Sequence, residues 1–373
     1  MLDKRLLLFL LTIVFSLILG GCLKGEQTLE EIDVPEEVTV VDDDESSQEN
    51  ENNLEDENNS ENENEPGEGN EEEEEAEVAE SDETVPRELY LIDASGMVVP
   101  QTLELPKTKS AAMQALEYLV KDGPVTELLP NGFQAILPTG TEIIGLNLQE
   151  DGTLIVDVSE EFKNYEADEE LKILQAMTHT LTQFDSVERI KLWINGEEQT
   201  EMPVNGTQIS KGFSKKHGIN IYAKDRPSLK HSKVVTMFYP KQHNENFYFV
   251  PVTQYINDTD TDIFTSIVEA LMEGPAHDVQ ALHVFNDHTT LVNKPFLQNG
   301  VLQLVFSDDI LKDEDKAIIA DDVMETLVRS LTEQEAVDAI EVKVEDIGTI
   351  MNESGTTYDK PVQKSDFVKS EKM

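Results

Sequence analysis

From Arg87 onward the chain alternates short apolar runs with polar breaks, and one succession of patterns occurs twice. Leu89-Tyr90-Leu91 and Val98-Val99-Pro100-Gln101-Thr102 read as two strands with polar residues between them. Met237-Phe238-Tyr239 and Phe249-Val250-Pro251-Val252-Thr253 repeat the pair. A helical period follows in both, through Met113, Leu116, Tyr118, Leu119 and Val120 first and Ile263, Ile267, Leu271 and Met272 second. Each periodic stretch runs to Gly-Pro, at Gly123-Pro124 and Gly274-Pro275. This predicts a left-handed glycine at the helix end and a proline that bars continuation.

A hairpin pattern comes next. Asp151-Gly152 lies between Ile143–Leu148 and Leu154–Val158, and Asn299-Gly300 between Leu291–Phe296 and Leu302–Phe306. Both dipeptides suit tight turns with positive φ. A second helical period takes in Ile173, Leu174, Met177 and Leu181, matched by Ile318, Ile319, Val323 and Leu327. Both run into Leu-Thr, at Leu181-Thr182 and Leu331-Thr332, before a last strand with Ile190, Leu192 and Ile194 or Ile340, Val342 and Val344. The order ββ-α-ββ-α-β thus recurs about 150 residues apart. It predicts the α+β class: two tandem similar domains, each a small mixed sheet with two helices packed on one face.

The N-terminus carries a different signal. Lys4 and Arg5 precede an apolar run from Leu6 to Leu19. That run is short of the ~20 residues of a spanning helix and suits a signal-peptide core. It ends at Leu19-Gly20-Gly21-Cys22, similar to a bacterial lipobox, which predicts cleavage between Gly21 and Cys22 and acylation (palmitate-type chains) of the Cys22 thiol. Two acyl chains hold a protein on a bilayer where one binds reversibly. Cys22 is the sole cysteine, so intramolecular disulfides and cysteine-based zinc or redox chemistry are excluded.

Charge separates the tether from the rest. Of the net −49, 28 acids with no Lys or Arg fall between Glu26 and Pro86, leaving −21 elsewhere. Such a stretch lacks the apolar surface to offset ordering entropy and is predicted to be a disordered leash, with Ile32 to Val41 its one apolar island. The sign argues against nucleic acid as a partner, since phosphate binding needs a basic footprint. The predicted division is a lipoprotein signal peptide (1–21), lipidated cysteine and acidic tether (22–86), first domain (87–215), linker (216–229), second domain (230–365) and tail (366–373). Lys211 to Ser232, rich in Lys, Ser, Gly and His, predicts relative motion between the domains.

The halves resemble the GerMN domain family of sporulation and spore-germination lipoproteins. The resemblance rests on Arg87-Glu88-Leu89-Tyr90-Leu91-Ile92-Asp93, Ala115-Leu116-Glu117-Tyr118-Leu119-Val120, Gly123-Pro124-Val125 and Leu129-Pro130-Asn131-Gly132-Phe133. Glu161-Phe162-Lys163-Asn164-Tyr165 and Leu181-Thr182-Gln183-Phe184 add to it. The second half departs: Ala276 follows its Gly-Pro, and it has no Leu-Pro-Asn-Gly-Phe. The resemblance implies a fold similar to the ring-building domains of the channel between mother cell and forespore. It also implies docking or oligomerisation surfaces rather than catalytic residues, and no cofactor. The implied partners are the membrane, through the anchor, and membrane proteins of a sporulation complex or further copies of the chain; no small-molecule substrate is expected. The implied place is the extracytoplasmic face of the cell membrane, between the two membranes in sporulating cells. A cell-wall lipoprotein that binds or hydrolyses cortex peptidoglycan in germination is the alternative.

Candidate sites are few. Asp258, Asp260 and Asp262, with Glu269, resemble a calcium loop in spacing, but Ile263 stands where that loop needs glycine. These acids are better read as facing the N-terminus of the helix that follows. His277, His283 and His288 lack the spacing of a zinc site, so no metal is expected. No nucleophile-elbow, metalloprotease or phosphate-loop motif occurs. If Ile190, Leu192 and Ile194 face inward, Lys191 and Trp193 face outward, a candidate partner contact or an edge packed against the other domain.

Overall fold

The repeated pattern folds as two α+β halves, which the computed structural model describes over residues 83–222, 232–257 and 262–367. The signal peptide, Gly21, Cys22, the acidic tether, Asp258 and Asp260 lie outside the described residues. The first apolar pair becomes an antiparallel hairpin of β1 (Thr84–Asp93) and β2 (Val98–Pro106), with Leu89 opposite Gln101 and Leu91 opposite Val99. Its turn is closed by Asp93, whose carboxylate accepts the backbone N–H groups of Ser95 and Met97. Helix α1 (Ala111–Glu117) follows, then β3 (Phe133–Gln134), which adds to the free side of β1.

A second sheet is ordered β4-β5-β6-β7, from β4 (Ile143–Leu148), β5 (Thr153–Val158), β6 (Arg189–Ile194) and β7 (Glu197–Glu198). The β5–β6 pair is parallel and joined by helix α2 (Glu170–Leu181). Leu154, Val156 and Val158 sit beside Ile190, Leu192 and Ile194, forming one buried layer under that helix. The other half repeats the plan with β8 (Ser232–His243), β9 (Asn246–Asn257), α3 (Ile263–Glu273), β10 (Phe296–Gln298) and β11 (Val301–Phe306). It continues through β12 (Leu311–Asp313), β13 (Ile318–Ile319), α4 (Asp321–Leu331) and β14 (Ala339–Val344), the last parallel to β11.

The paired Leu-Thr signatures have one physical meaning. Thr182 and Thr332 each fold their hydroxyl back onto the carbonyl four residues earlier, Thr178 and Val328, at 2.7 Å. Just before them, Thr180 accepts the backbone N–H of Tyr90, and Ser330 that of Phe238, both at 2.9 Å. Each second helix is thereby fixed to the first strand of its own hairpin.

Four expectations change. Each half holds its strands in separate small sheets rather than one; in the first half the backbones of Ile136 and Leu137 bond to Leu119 and Lys121, so β3 stops after two residues. The same bonds end α1 at Glu117, well before Gly123-Pro124. There the left-handed residue is Asp122 (φ 59); Gly123, at φ −87, is required because a Cβ would lie 2.9 Å from the Val120 carbonyl oxygen. Gly274 does end α3 with φ +85. Ile318 and Ile319 form β13 ahead of the helix, as adjacent β-branched residues favour. The strand expected over Leu291–Phe296 is reduced to a bridge at Leu291 and to β10, because Pro295 has no N–H for the ladder.

The connection between the halves is, as far as Tyr222, tied down rather than free, contrary to what its composition predicts. Ile219 is fully buried, its N–H donates to the Thr253 hydroxyl at 2.8 Å, and Tyr222 bridges Gln254 of β9. Asn220, at φ +46, inserts its amide between the hairpins. It accepts the Val98 N–H, donates to the Val98 carbonyl and donates to the Pro251 carbonyl. A side chain thus closes the main-chain groups of two strands that belong to different halves.

Candidate functional site

Two surfaces and one buried cluster merit a functional reading. The cluster is built on Asp93, at the end of β1. Its carboxylate accepts Lys241 Nζ at 2.9 Å and the Tyr248 hydroxyl at 2.9 Å, both from the other hairpin. The aspartate side chain is 0% and the lysine 9% exposed. Burial raises the Asp93 pKa, but hydrogen bonds from Ser95, Met97 and Lys241, together with the lysine's charge, outweigh it and hold the carboxyl below its usual range. Around the pair, Phe133 meets Tyr248 edge-on at 4.9 Å, and Asn131 accepts from Asn246. Gly132 approaches His243 so closely that a Cβ would lie 2.6 Å from its ring.

The Leu-Pro-Asn-Gly-Phe segment of the first half is therefore the seat of the second half's hairpin. The second half lacks that segment, and no third domain in the described residues would need it.

Among the described residues the buried acids are Asp93 and Glu170. Glu170 is saturated as well, accepting the Tyr165 hydroxyl, the Thr207 hydroxyl and the N–H groups of Asn205 and Thr207. Burial opposes its charge and these bonds overcome it, so its pKa is lowered. Neither carboxylate offers a free lone pair for proton transfer; both serve the fold. His179 is buried against the Tyr90 ring at 5.0 Å, and burial depresses its pKa to about 3.

The first surface is the outer face of the β4–β7 sheet. Trp193 stands on it beside Asp157 of β5 and Glu198 of β7, on the side away from the core as the alternation predicts. It is half-buried, and its indole N–H is shielded from solvent with no acceptor among the described residues. Lys191 pairs with Glu198 at 2.6 Å, a partly exposed bridge of little energetic weight. In the second half, Lys343 replaces the tryptophan, bound to Glu341 at 3.2 Å, and Gln303 donates to the same Glu341.

The second surface is a shallow cleft of ≈ 340 Å³ where the halves and their connection meet. Leu171 and Ile221 are its exposed apolar walls, with Lys172 and Gln175 beside them.

The acids before α3 behave as capping groups where they are described: Asp262 accepts the Thr265 N–H at 3.0 Å and the Thr265 hydroxyl at 2.7 Å. Of the histidines, His283 bonds the Met272 carbonyl at 2.8 Å and His277 begins a short 3₁₀ turn. Among the described residues no three of His, Cys, Asp and Glu gather as metal ligands.

The family model described as Germane: Sporulation and spore germination matches twice, over residues 88–200 and 236–347. The chain belongs to the Germane family. It is 40% identical over 353 residues to the spore germination protein GerM of Bacillus subtilis (strain 168), across 94% of this chain and 93% of that one. The solved tandem GerMN domains of the sporulation protein GerM from B. subtilis superpose with a TM-score of 0.71 at 43% identity. That match covers 75% of this chain and 98% of the other. Each Germane match contains one partner of the buried pair, Asp93 in the first and Lys241 in the second, and Asn220 lies between them. Sequence reasoning missed all three. The only signals were a charge ending an apolar strand, a lysine in an aromatic-rich strand and an asparagine between two isoleucines.

Proposed function

We propose that this Germane-family protein is a non-enzymatic docking component of a sporulation complex, held on the extracytoplasmic face of the cell membrane by acyl chains on Cys22. The Leu19-Gly20-Gly21-Cys22 sequence after an apolar run supports the anchor, and the acidic stretch from Glu26, which stops short of β1 at Thr84 rather than at Pro86 as the sequence predicts, supports a tether that holds the domains clear of the bilayer. The observation that carries the docking reading is the inequality of two otherwise matching sheets. The outer face of one presents the half-buried ring of Trp193, and the same position in the other is an ion-paired lysine. Aromatic side chains, tryptophan above all, are enriched among the anchors of protein contacts. Membrane partners of the mother cell–forespore channel type fit this reading.

The test is recovery of the full chain from membranes of sporulating cells, comparing the parent with Cys22→Ser and Trp193→Ala. The parent should sediment with membranes and bring a second membrane protein with it. C22S should appear in the soluble fraction, and W193A should keep the membrane but lose the partner. Release of cortex peptidoglycan fragments by the purified chain, abolished by a single Asp or Glu substitution, would replace this reading with the hydrolytic one.

A further inference from the structure

We infer that the free edge of β4, Ile143–Leu148, receives a β-strand from a partner protein, adding a fifth strand to the first half's second sheet. The inference rests on the docking reading and names where and how the partner is held.

β4 is the outermost strand of its sheet and pairs only with β5. No other backbone ladder or isolated bridge among the described residues involves Ile143 to Leu148. An edge strand presents a row of main-chain donors and acceptors that can template another chain, and proteins ordinarily blunt it with lysine, proline, bulges or shortness. β4 has neither lysine nor proline over Ile143-Ile144-Gly145-Leu146-Asn147-Leu148, and its one register shift, between Ile143 and Gly145, leaves a regular ladder over Gly145–Leu148. Ile144 is 51% and Leu148 37% exposed, and the space about Gly145 is open for 4 Å.

The duplicate half supplies the control. Its corresponding strand carries Asn293-Lys294-Pro295 at its centre and keeps a ladder only over Phe296–Gln298. One copy of the fold guards its edge with lysine and proline; the other has only the shift at the N-terminal end of β4 and leaves Gly145–Leu148 unguarded. Stability does not require the difference, because both sheets bury equivalent layers on their inner side.

The chemistry of the site defines the occupant. An added strand bonds main chain to main chain and places alternate side chains beside Ile144 and over the sheet face that carries Trp193. The ends of the edge are acidic and exposed, at Glu142 on one side and Glu150 and Asp151 on the other. A second copy of a chain of net charge −49 would set those acids against themselves. The complementary occupant is a segment with aliphatic residues at alternate positions and Lys or Arg at its ends.

Amide hydrogen exchange on the full exported chain tests this, using as probe a short synthetic peptide with Val at alternate positions, Thr between them and Lys at each end. Exchange at amides of 143–148 should slow by about tenfold with the probe and stay unchanged over 296–298. The Ile144→Lys/Asn147→Lys variant alters two exposed positions and brings lysine guards to the open edge; it should keep the parent's thermal melt and show no protection. Absence of protection in the parent would overturn the inference, and so would equal protection in the variant. Protection without probe that rises with protein concentration would assign the edge to a second copy. Protection without probe that vanishes when residues 26–82 are removed would assign it to the chain's own tether. Either result overturns the partner strand. If the membrane partner is still recovered from cells while the edge stays unprotected, only the edge assignment fails; if no partner is recovered, the docking reading fails with it.

Discussion

Lys241→Met should destabilise the protein by about 3 kcal/mol at pH 7, at the low end of the 3–5 kcal/mol typical of a broken buried ion pair. Methionine keeps the length of the lysine stem, so the loss is one of charge rather than of volume. The Asp93 carboxylate, with its side chain 0% exposed, stays ionised and keeps the N–H groups of Ser95 and Met97 and the hydroxyls of Ser95 and Tyr248. Those donors are why the low end applies. Removing both charges, as Asp93→Asn with Lys241→Met, should recover much of the loss and give a coupling energy of about 2 kcal/mol. The pH dependence has a definite sign. In the parent, Asp93 titrates below its usual range, so its contribution is complete above about pH 3.9 and is lost only as pH falls through the lower folded value. In the variant both lysine contributions are lost, so the carboxyl protonates at a higher pH than in the parent and the destabilisation should shrink as pH falls through the acid range.

Urea denaturation followed by two signals is the assay. Trp193 is the only tryptophan and reports the first half, while far-UV circular dichroism reports both. The two curves should superimpose in the parent and separate in the variant. Superimposed curves with a change under about 1 kcal/mol, or a double variant as unstable as the sum of the singles, would refute the reasoning.

Asn220→Gly keeps the left-handed backbone and removes only the amide, which leaves the main-chain groups of buried Val98 unpaired; a loss of about 2–4 kcal/mol is expected in the same urea experiment. Gly123→Ala should lower the melting temperature, because its Cβ meets the Val120 carbonyl at 2.9 Å. Gly145→Ala, with nothing within 4 Å, should lie close to the parent; equal melting shifts would contradict both contacts. His179 stays neutral in the folded chain until about pH 3 but titrates near 6.5 when unfolded. Its contribution is therefore complete above pH 6.5 and falls with pH, by about 2 kcal/mol at pH 5. His179→Leu should flatten that part of the stability–pH curve, and an unchanged slope would count against a buried neutral ring.

The repeat was legible because each of its elements carries its own period. Leu154, Val156 and Val158, the α2 residues Ile173, Leu174, Met177 and Leu181, and the paired Leu-Thr endings mark their positions without reference to anything distant. What could not be read depends on competition between segments. Leu119 and Lys121 turn to Leu137 instead of continuing a helix, and that choice also stops β3 after two residues. The expected helix through Ile318 and Ile319 mistook two strand residues for a period they fit by chance of spacing. The inter-domain lock was hidden for a different reason. Asp93 and Lys241 lie 148 residues apart, and each is unremarkable alone in its own strand. Of the candidate site, the outward face with Lys191 and Trp193 followed from alternation; the shielding of the indole and the Lys191–Glu198 pair did not.

Site-specific photo-cross-linking in sporulating cells tests the central claim most directly, with the photoreactive residue placed at Trp193, at Ile144 or, as the control, at Lys343. The account predicts covalent adducts to a distinct membrane protein from positions 193 and 144 and none from 343. Adducts from all three alike, or from none while the protein remains membrane-bound, would contradict a docking face confined to the first half.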